Sequence, residues 1–411
     1  MRLLYNLIIC IIIIFSPIII FFRIIKKKES PKRFLEKFSF LQKKRGRGKL
    51  IWFHCSSVGE FLSIVPLIEK LEKEKDIRNI LLSTSTLSSS KIFNKFKFKK
   101  TIHQFYPIDN PIIISKFLNH WKPNAVFFIE SEIWPEMLRF LHSRKIKTYL
   151  LNARISKKSF ARWKNFRETA IKIFNIFDYI FPQNQETLTY LKYFKVKKAK
   201  ILGNLKFSET ERVNTSKTLP KFFNKKKIFC AASTHNNEEE IISNVHLKLR
   251  KNIDDLLTIL IPRHVERSQK ILENLKKKNL NCICHSENKK LSKNTDVYLV
   301  DVYGESKAFY SISKVVFLGG SLVPRGGQNP LEPVRYGCNM VHGKHVFNFT
   351  EIYRMLHKNK LAFEAKNFSE LKKIIFRLMV KEQNNKKKVN KFKKIGKSIL
   401  VKNFRKIRVL I

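Results

Sequence analysis

Short apolar runs alternate with longer amphipathic stretches along most of this 411-residue chain, and this alternation constrains the fold more than any other feature. Each pair of segments is typical of a strand followed by a helix. Strands connected through helices lie parallel in one sheet, with helices on both faces. The predicted strands cover residues 50–55, 79–83, 124–129, 147–151, 179–181 and 200–202, and then 228–232, 256–261, 297–300, 314–318 and 339–341.

The alternation pauses once, in a polar stretch between Ser208 and Lys227 that contains Pro220 and a run of three lysines. We therefore predict an α/β protein with two doubly wound domains of similar size and a linker between them. The tail after Phe368 is basic and has helical periodicity. The predicted division is a membrane anchor at 1–30, a first domain at 31–210, a linker at 211–226, a second domain at 227–385 and a basic C-terminal helix at 386–411.

An apolar run at residues 3–22 is interrupted only by Asn6, Ser16 and Pro17. As a helix it spans about 30 Å, which is one hydrocarbon core. Six basic residues follow it within about ten positions and one precedes it, which predicts that the body of the protein stays in the cytoplasm. A cleaved signal peptide is the alternative, but no small-x-small cleavage site follows the run. Shallow insertion into one leaflet is another alternative.

The charge of the chain is strongly positive, with 83 Lys and Arg against 32 Asp and Glu, or +51. This excludes an acidic scaffold, and the hydrophobic content of 44% excludes a disordered basic tail protein. A nucleic-acid-binding protein needs cations clustered on one face with aromatic residues between them. Here the lysines are scattered through helices, linker and tail, so we expect no nucleic-acid partner.

Cys282-x-Cys284-His285 lacks a second ligand pair at finger-like spacing, which favours an ordinary strand and loop over a metal site.

Polar and charged residues follow the predicted strands of the first domain. Ligands bind at the carboxyl ends of parallel strands, because loops and helix amino termini converge there. A solvated loop charge is the simpler interpretation of any single residue, but together they indicate a site. The residues concerned are Glu60, Glu130, Glu132, Arg154 and Lys206.

In the second domain the glycines are the most informative residues. Seven of the twelve glycines fall between Gly304 and Gly343, and glycine is needed where backbone approaches a ligand closely or takes a positive φ. The segment from Gly326 to Glu332 is typical of a glycine loop that feeds a helix, with free N–H groups for a phosphate. Glu332 could accept hydrogen bonds from a ribose and Arg263 could neutralise a phosphate. Three other strand ends carry Ser233-Thr234-His235, Pro262-Arg263-His264 and Asp301 with Gly304-Glu305.

Three common nucleotide motifs are missing from the sequence. It has no Walker lysine loop, no Gly-x-Gly-x-x-Gly after the first strand and no Asp-x-Asp for a metal-bound diphosphate. Walker-type hydrolysis and dinucleotide-dependent oxidation are therefore disfavoured.

In the order and spacing of its motifs, the sequence resembles the membrane-associated 3-deoxy-D-manno-octulosonic acid (Kdo) transferases of lipopolysaccharide synthesis. The resemblance runs in order from the anchor to about Phe349. The matching stretches are Trp52 to Glu60 (WFHCSSVGE), Glu130 to Pro135 (ESEIWP), Asn152 to Ser156 (NARIS), Gly203 to Phe207 (GNLKF), Pro262 to Arg267 (PRHVER), Gly319 to Val323 (GGSLV), Asn329 to Glu332 (NPLE), Gly343 and Phe347 to Phe349 (FNF).

The resemblance implies the GT-B fold, in which two Rossmann-like domains face across a cleft. It implies inverting transfer of Kdo from CMP-Kdo to the lipid A precursor lipid IVA, at the cytoplasmic face of an inner membrane with anionic lipids. Glu60 would be the general base, while Glu130 and Lys206 would stabilise the transition state. No cofactor and no metal are expected. The residues that would hold CMP are Pro262, Arg263, Tyr303, Gly304, Glu305, Asn329, Pro330, Leu331 and Glu332. A lipid-linked transferase that uses a UDP-sugar is the alternative within the same fold.

Four positions depart from the family pattern. Gln328 stands in place of a common His, Ser208 in place of Asp, and Val265 and Lys344 each in place of Pro. Gln328 can donate a hydrogen bond but cannot titrate, so a proton-transfer role at that position is not expected here.

Overall fold

The computed structural model describes residues 2–40, 42–209, 221–287, 291–381 and 385–411. The chain divides into two compact units, one formed by Met1–Thr210 with Ile395–Ile411 and the other by Glu211–Lys394. Positions 211–220 of the predicted linker lie outside the described residues, and Lys221–Lys225 form a short 3-10 helix.

The first unit contains a parallel sheet of six strands in the order β3-β2-β1-β4-β5-β6. This is the strand order of a Rossmann fold, in which β1 to β3 are added toward one edge of the sheet and β4 to β6 toward the other, so the order switches between β1 and β4. Trp52, Phe117 and Trp121 lie in its core. The strands are β1 Leu50–His54, β2 Asn79–Thr84, β3 Thr101–Phe105, β4 Ala125–Ile129, β5 Lys147–Ala153 and β6 Tyr179–Pro182.

Helices of the first unit connect these strands and cover the sheet. Several begin at a residue whose side chain accepts a hydrogen bond from the first turn, such as Ser57, Thr86 and Asn110. The helices are α1 Arg2–Ile25, α2 Val58–Leu71, α3 Leu87–Phe93, α4 Pro111–Trp121, α5 Pro135–Ser143, α6 Lys157–Asn165, α7 Arg167–Phe174 and α8 Gln185–Tyr193.

The second unit has a parallel sheet of seven strands in the order β13-β12-β11-β7-β8-β10-β9, so β7 is the central strand. Phe229, Phe317 and Ile375 lie in its core. The strands are β7 Lys227–Thr234, β8 Leu256–Pro262, β9 Cys282–Cys284, β10 Val297–Leu299, β11 Val315–Leu318, β12 Asn339–His342 and β13 Ala362–Glu364. The helices are α9 Glu238–Leu249, α10 Ser268–Lys276, α11 Ser306–Ile312, α12 Leu331–Arg335, α13 Thr350–Lys358 and α14 Phe368–Val380, followed by α15 Asn385–Leu410.

These two sheets confirm the predicted fold class, with one wrong strand and several omitted ones. The strand predicted at 200–202 is absent; its neighbour Ala199 forms an isolated bridge with Ile180. Strand β3 was not predicted, because His103 and Gln104 interrupt its apolar pattern although both are buried. His103 Nε2 lies 2.9 Å from Thr84 Oγ1, and the Lys43 amide donates to Gln104 Oε1. Hydrogen bonding thus offsets the cost of burying these polar side chains.

Helix α1 contains one segment, Leu7–Ile25, that is long and apolar enough to cross a membrane. Many of its large side chains are exposed, including Ile14 and Phe21. Near the start of the helix, the Tyr5 hydroxyl donates to Oδ2 of the buried Asp109, at 2.6 Å. That carboxylate also accepts the amides of the first turn of α5. The start of α1 is therefore joined to the first unit.

The last helix was expected to be a separate basic element, but its residues from Ile395 onward belong to the first unit. Arg408 donates to Asp76 at 2.8 Å and lies 3.2 Å from Glu74. A Cβ on Gly396 would lie 2.3 Å from the Phe207 carbonyl oxygen. The middle of α15, at Gly396, thus packs directly against the segment that carries Lys206.

Candidate functional site

Glu60 lies in the first turn of α2, immediately after β1. The Ser57 hydroxyl accepts the Glu60 amide at 3.3 Å and donates to Glu60 Oε1 at 2.9 Å. The Ser56 amide donates to Glu60 Oε2 at 2.7 Å. Both carboxylate oxygens are thus held at the carboxyl end of the strand, next to Gly59, where a Cβ would meet no atom within 4 Å.

Glu130 follows β4, the strand beside β1. Its φ is +60°, a left-handed conformation that costs free energy for a residue with a Cβ. Such strain is found most often at functional sites. Glu130 Oε1 lies 2.6 Å from the Lys206 ammonium and accepts the Asn152 amide group at 3.4 Å. Asn152 Oδ1 accepts the Leu205 amide at 3.0 Å, which fixes the short 3-10 helix Leu205–Phe207 and therefore Lys206.

Glu132 is also part of this cluster. Its Oε2 atom lies 3.0 Å from His54 Nε2 and accepts Trp134 Nε1–H at 2.8 Å. Burial alone would raise the pKa of Glu132, but hydrogen bonds from His54, Ser56 and Trp134 lower it overall. Glu132 is therefore a fixed negative charge.

The pKa of Glu60 is raised to about 7, first by burial and then by the charges of Glu132 and Glu130. The hydrogen bonds from Ser56 and Ser57 oppose this change and lower the pKa. A carboxylate poised near neutral pH can accept a proton more readily than an ordinary glutamate. The structure thus brings together the three residues predicted to be catalytic in the first unit.

In the second unit the predicted CMP-binding residues follow β8, β10 and β11. Pro262 ends β8, and the Arg263 side chain after it is exposed. The Tyr303 hydroxyl donates to Glu266 Oε1 at 3.0 Å, so Tyr303 contacts the segment after Arg263. Gly304 has a φ of +95°, and Glu305 immediately precedes α11.

The segment from Asn329 to Glu332 enters α12, but this helix has only five residues. The Leu331 amide donates to Asn329 Oδ1 and the Gly327 amide to the Gly320 carbonyl. The prediction that the N–H groups of this segment are free to bind a phosphate is therefore wrong in part, because the amides of Gly327 and Leu331 already donate hydrogen bonds within the protein. Side chains must supply more of any phosphate contact than the sequence indicated.

One residue important for this unit was missed. Glu238 is buried, and its carboxylate accepts the amides of His235, Gly320, Ser321 and Leu322 at 2.7–3.1 Å. Burial raises the pKa of Glu238, while these hydrogen bonds lower it. A buried carboxylate that joins the ends of β7 and β11 shapes the glycine loop. In the sequence, the only indication of this role is that Glu238 is an acidic residue in the first turn of a helix, in a chain with few acidic residues.

The four departures from the family pattern lie in well-defined surroundings. Ser208 is buried and donates to the Leu205 carbonyl at 2.7 Å, so it stabilises the turn that holds Lys206. The Gln328 carbonyl accepts the Tyr353 hydroxyl at 3.5 Å. Val265 begins a short 3-10 helix, and Lys344 is exposed.

Within the described parts of the chain, no three His, Cys, Asp or Glu residues are grouped closely enough to hold a metal ion. Cys282 and Cys284 lie on β9, and the adjacent His285 ring nitrogen is 3.0 Å from the Tyr298 hydroxyl.

Comparison with known proteins gives a consistent result. The model of the 3-deoxy-D-manno-octulosonic-acid transferase (kdotransferase) family matches residues 32–209. The chain is 32% identical over 389 residues to a 3-deoxy-D-manno-octulosonic acid transferase of Rickettsia bellii. The alignment covers 94% of this chain and 92% of the relative. The transferase of that name from Haemophilus influenzae is 32% identical over 366 residues, covering 86% of this chain and 83% of the relative.

Among solved structures, a UDP-GlcNAc 2-epimerase from Neisseria meningitidis aligns with a TM-score of 0.57 at 14% identity, covering 88% of this chain and 98% of that one. A glycosyltransferase of kitacinnamycin aligns with a TM-score of 0.52 at 10% identity, covering 88% and 99%. At such low identity these likenesses show the fold alone.

Proposed function

The chain belongs to the 3-deoxy-D-manno-octulosonic acid transferase family, and we propose that it transfers Kdo from CMP-Kdo to lipid IVA with inversion at the anomeric carbon. The observation that carries this proposal is the Glu60 carboxylate, held by Ser56 and Ser57 with a pKa of about 7. Inverting transfer needs one base of this kind and no covalent intermediate.

In the proposed reaction Glu60 takes the proton of an acceptor hydroxyl. That oxygen forms a bond to the anomeric carbon of Kdo from one face, while the bond from that carbon to the CMP phosphate oxygen breaks on the other. The electron pair of the broken bond leaves with CMP. The open space beside Gly59 gives the acceptor room to approach Glu60.

Glu130 and Lys206 are proposed to stabilise the transition state. The ion pair holds the Lys206 ammonium in one place, and a preorganised cation stabilises developing negative charge without reorganisation. The left-handed backbone of Glu130 fixes where its side chain leaves β4, next to Lys206.

The second unit is proposed to bind CMP-Kdo through the residues after β8, β10 and β11. Arg263 is an exposed cation at the end of β8, suited to a single phosphate, and Glu332 could accept hydrogen bonds from ribose hydroxyls. A nucleoside monophosphate carries one phosphate group, so side-chain cations can neutralise it without a metal.

The test is CMP release by the purified full chain with lipid IVA and freshly made CMP-Kdo. We expect release by the wild type and a loss of about two to four orders of magnitude in Glu60→Gln. Glu168→Gln, a change at a glutamate of the same unit whose side chain is 79% exposed, should retain activity. No release with both substrates intact, or full activity in Glu60→Gln, contradicts the proposal.

A competition between CMP and UDP tests the choice of donor. The net charge of +51 and the fold are compatible with either CMP or UDP as part of the donor. Membership of the Kdo transferase family favours CMP. Tighter binding of UDP than of CMP would favour a UDP-sugar transferase instead.

We also propose that α1 holds the enzyme at the inner membrane, with both units on the cytoplasmic side among anionic lipids. The support is the apolar segment Leu7–Ile25 and the basic residues after it. If α1 crosses the bilayer, Tyr5 lies on the far side of the membrane and its hydrogen bond to Asp109 is broken. In that case, protease added to spheroplasts should digest a tag at the N-terminus. If the tag is digested only in inverted vesicles, the N-terminus of α1 lies on the cytoplasmic side.

A further inference from the structure

The end of the central strand β7 carries two buried polar atoms whose role is not explained by the fold. Thr234 is completely buried, and its hydroxyl has no hydrogen-bond partner among the described residues. Within the same described part of the chain, the buried Nε2 atom of His235 also lacks a partner. Buried polar groups are nearly always hydrogen-bonded, and leaving one unsatisfied costs about 1–3 kcal/mol. Two such atoms on consecutive residues therefore point to a ligand.

The backbone around these atoms is closely packed. Ser233 has a φ of +54°, where the pairing with β8 shifts register. A Cβ on Gly319 would lie 2.3 Å from the Ser233 carbonyl oxygen, and one on Gly320 would lie 3.2 Å from the His235 ring. Glu238 holds the same loop through its amides. The end of β7 is therefore packed closely against the turn at Gly319 and Gly320.

The charges around His235 favour an anion. A Cβ on Gly320 would lie 3.3 Å from Arg325 Cβ as well as 3.2 Å from the His235 ring, so these two residues flank the same glycine. Burial lowers the pKa of His235, and the charges of His264, Arg325 and Arg263 lower it further. The His264 ring centre is 6.0 Å from that of His235. Two carboxylates also lie nearby, but both are engaged. Glu238 accepts four backbone amides, and Glu239 is paired with Arg267 through two bonds of 2.9 and 3.0 Å.

We infer that Thr234, His235 and Arg325 form an oxyanion site at the end of β7, in addition to the predicted CMP-binding residues. The hydroxyl of Thr234 and Nε2–H of His235 would donate to the anion, and Arg325 would neutralise its charge. This inference rests on the proposed function, which offers two oxyanions of the donor, the nucleotide phosphate and the sugar carboxylate. The need for side-chain donors is consistent with the Gly320, Ser321 and Leu322 amides being used by Glu238.

Three substitutions test the site in the full chain: Thr234→Val, His235→Phe and Arg325→Gln. Each keeps much of the side-chain volume and removes a donor or a charge. Arg354→Gln is the matched control, because Arg354 is an exposed arginine of the same unit that pairs with Glu351. Thermal unfolding identifies any variant that fails to fold. The first measurement is calorimetric binding of CMP and cytidine, and the second is the KM for CMP-Kdo.

If the anion is the nucleotide phosphate, each variant should bind CMP about 10- to 100-fold more weakly, with cytidine binding unchanged. If it is the sugar carboxylate, CMP binding should stay constant while the KM for CMP-Kdo rises by a similar factor. Folded variants with wild-type CMP affinity and wild-type KM would overturn the inference.

Inorganic phosphate, titrated by phosphorus NMR, separates this inference from the proposed function. If the wild type binds phosphate but not CMP, and His235→Phe loses phosphate binding, the proposed function fails while the oxyanion site stands. If the wild type binds CMP and all three variants behave like Arg354→Gln, the proposed donor stands and the oxyanion site is wrong.

Discussion

The Lys206 ammonium lies 2.6 Å from Glu130 Oε1, with the two side chains only 19% and 7% exposed. Glu130 follows β4, whereas Lys206 lies in the 3-10 helix Leu205–Phe207, which is positioned by Asn152 of β5. Removing one partner of such a pair leaves an uncompensated charge, so the pair acts as a unit.

Lys206→Met should lower the rate of Kdo transfer by about 10²- to 10³-fold, because one preorganised cation is lost. Lys147→Met removes a lysine of the same unit from an exposed pair with Asp178 and should have little effect. Initial rates at saturating CMP-Kdo measure both. Equal rates in the two variants would show that the Lys206 ion pair has no part in catalysis.

Activity should increase with pH through about 7, because Glu60 must be ionised to accept a proton. Ser57→Ala removes a hydrogen bond that lowers the pKa of Glu60, so the midpoint should move to higher pH. Thr86→Ala removes the corresponding cap of α3 and should cost similar stability, about 1 kcal/mol, without moving the midpoint. A pH–rate profile that is the same for Ser57→Ala and Thr86→Ala would contradict this assignment.

Glu238→Gln should destabilise the protein by roughly 2–4 kcal/mol, because an NH2 group, which cannot accept, replaces one of two oxygens that each accept two backbone amides. Glu240→Gln, in the same helix turn but with a side chain 70% exposed, should change stability by less than about 0.5 kcal/mol. Urea unfolding followed by fluorescence compares them. Equal midpoints would mean that the glycine loop does not depend on Glu238.

Gly319→Ala should destabilise the fold and weaken CMP binding, since its Cβ would lie 2.3 Å from the Ser233 carbonyl oxygen. Gly59→Ala adds the same methyl group where nothing lies within 4 Å, and so should not lower the unfolding temperature. If the acceptor approaches Glu60 there, Gly59→Ala should instead raise the KM for lipid IVA. Stable, fully active Gly319→Ala would disprove the close packing of β7 and β11.

Much of the fold could be predicted from local pattern. Apolar runs marked most strands of both sheets, because a strand buried on both faces needs consecutive apolar residues. The pattern failed at β3, where buried His103 and Gln104 are satisfied by tertiary hydrogen bonds. It also failed at 200–202, where an apolar segment forms no strand.

The sequence by itself determined the two-domain α/β class and the strand ends that carry Glu60, Glu130 and Lys206, because periodicity and loop position are local properties. Only the tertiary structure decided which of these groups meet. The order β3-β2-β1-β4-β5-β6 places β1 beside β4, so the charge of Glu130 raises the pKa of Glu60. The role of Glu238 and the unsatisfied atoms of Thr234 and His235 likewise depend on packing between β7 and β11. Such contacts join residues far apart in the chain, and no local pattern specifies them.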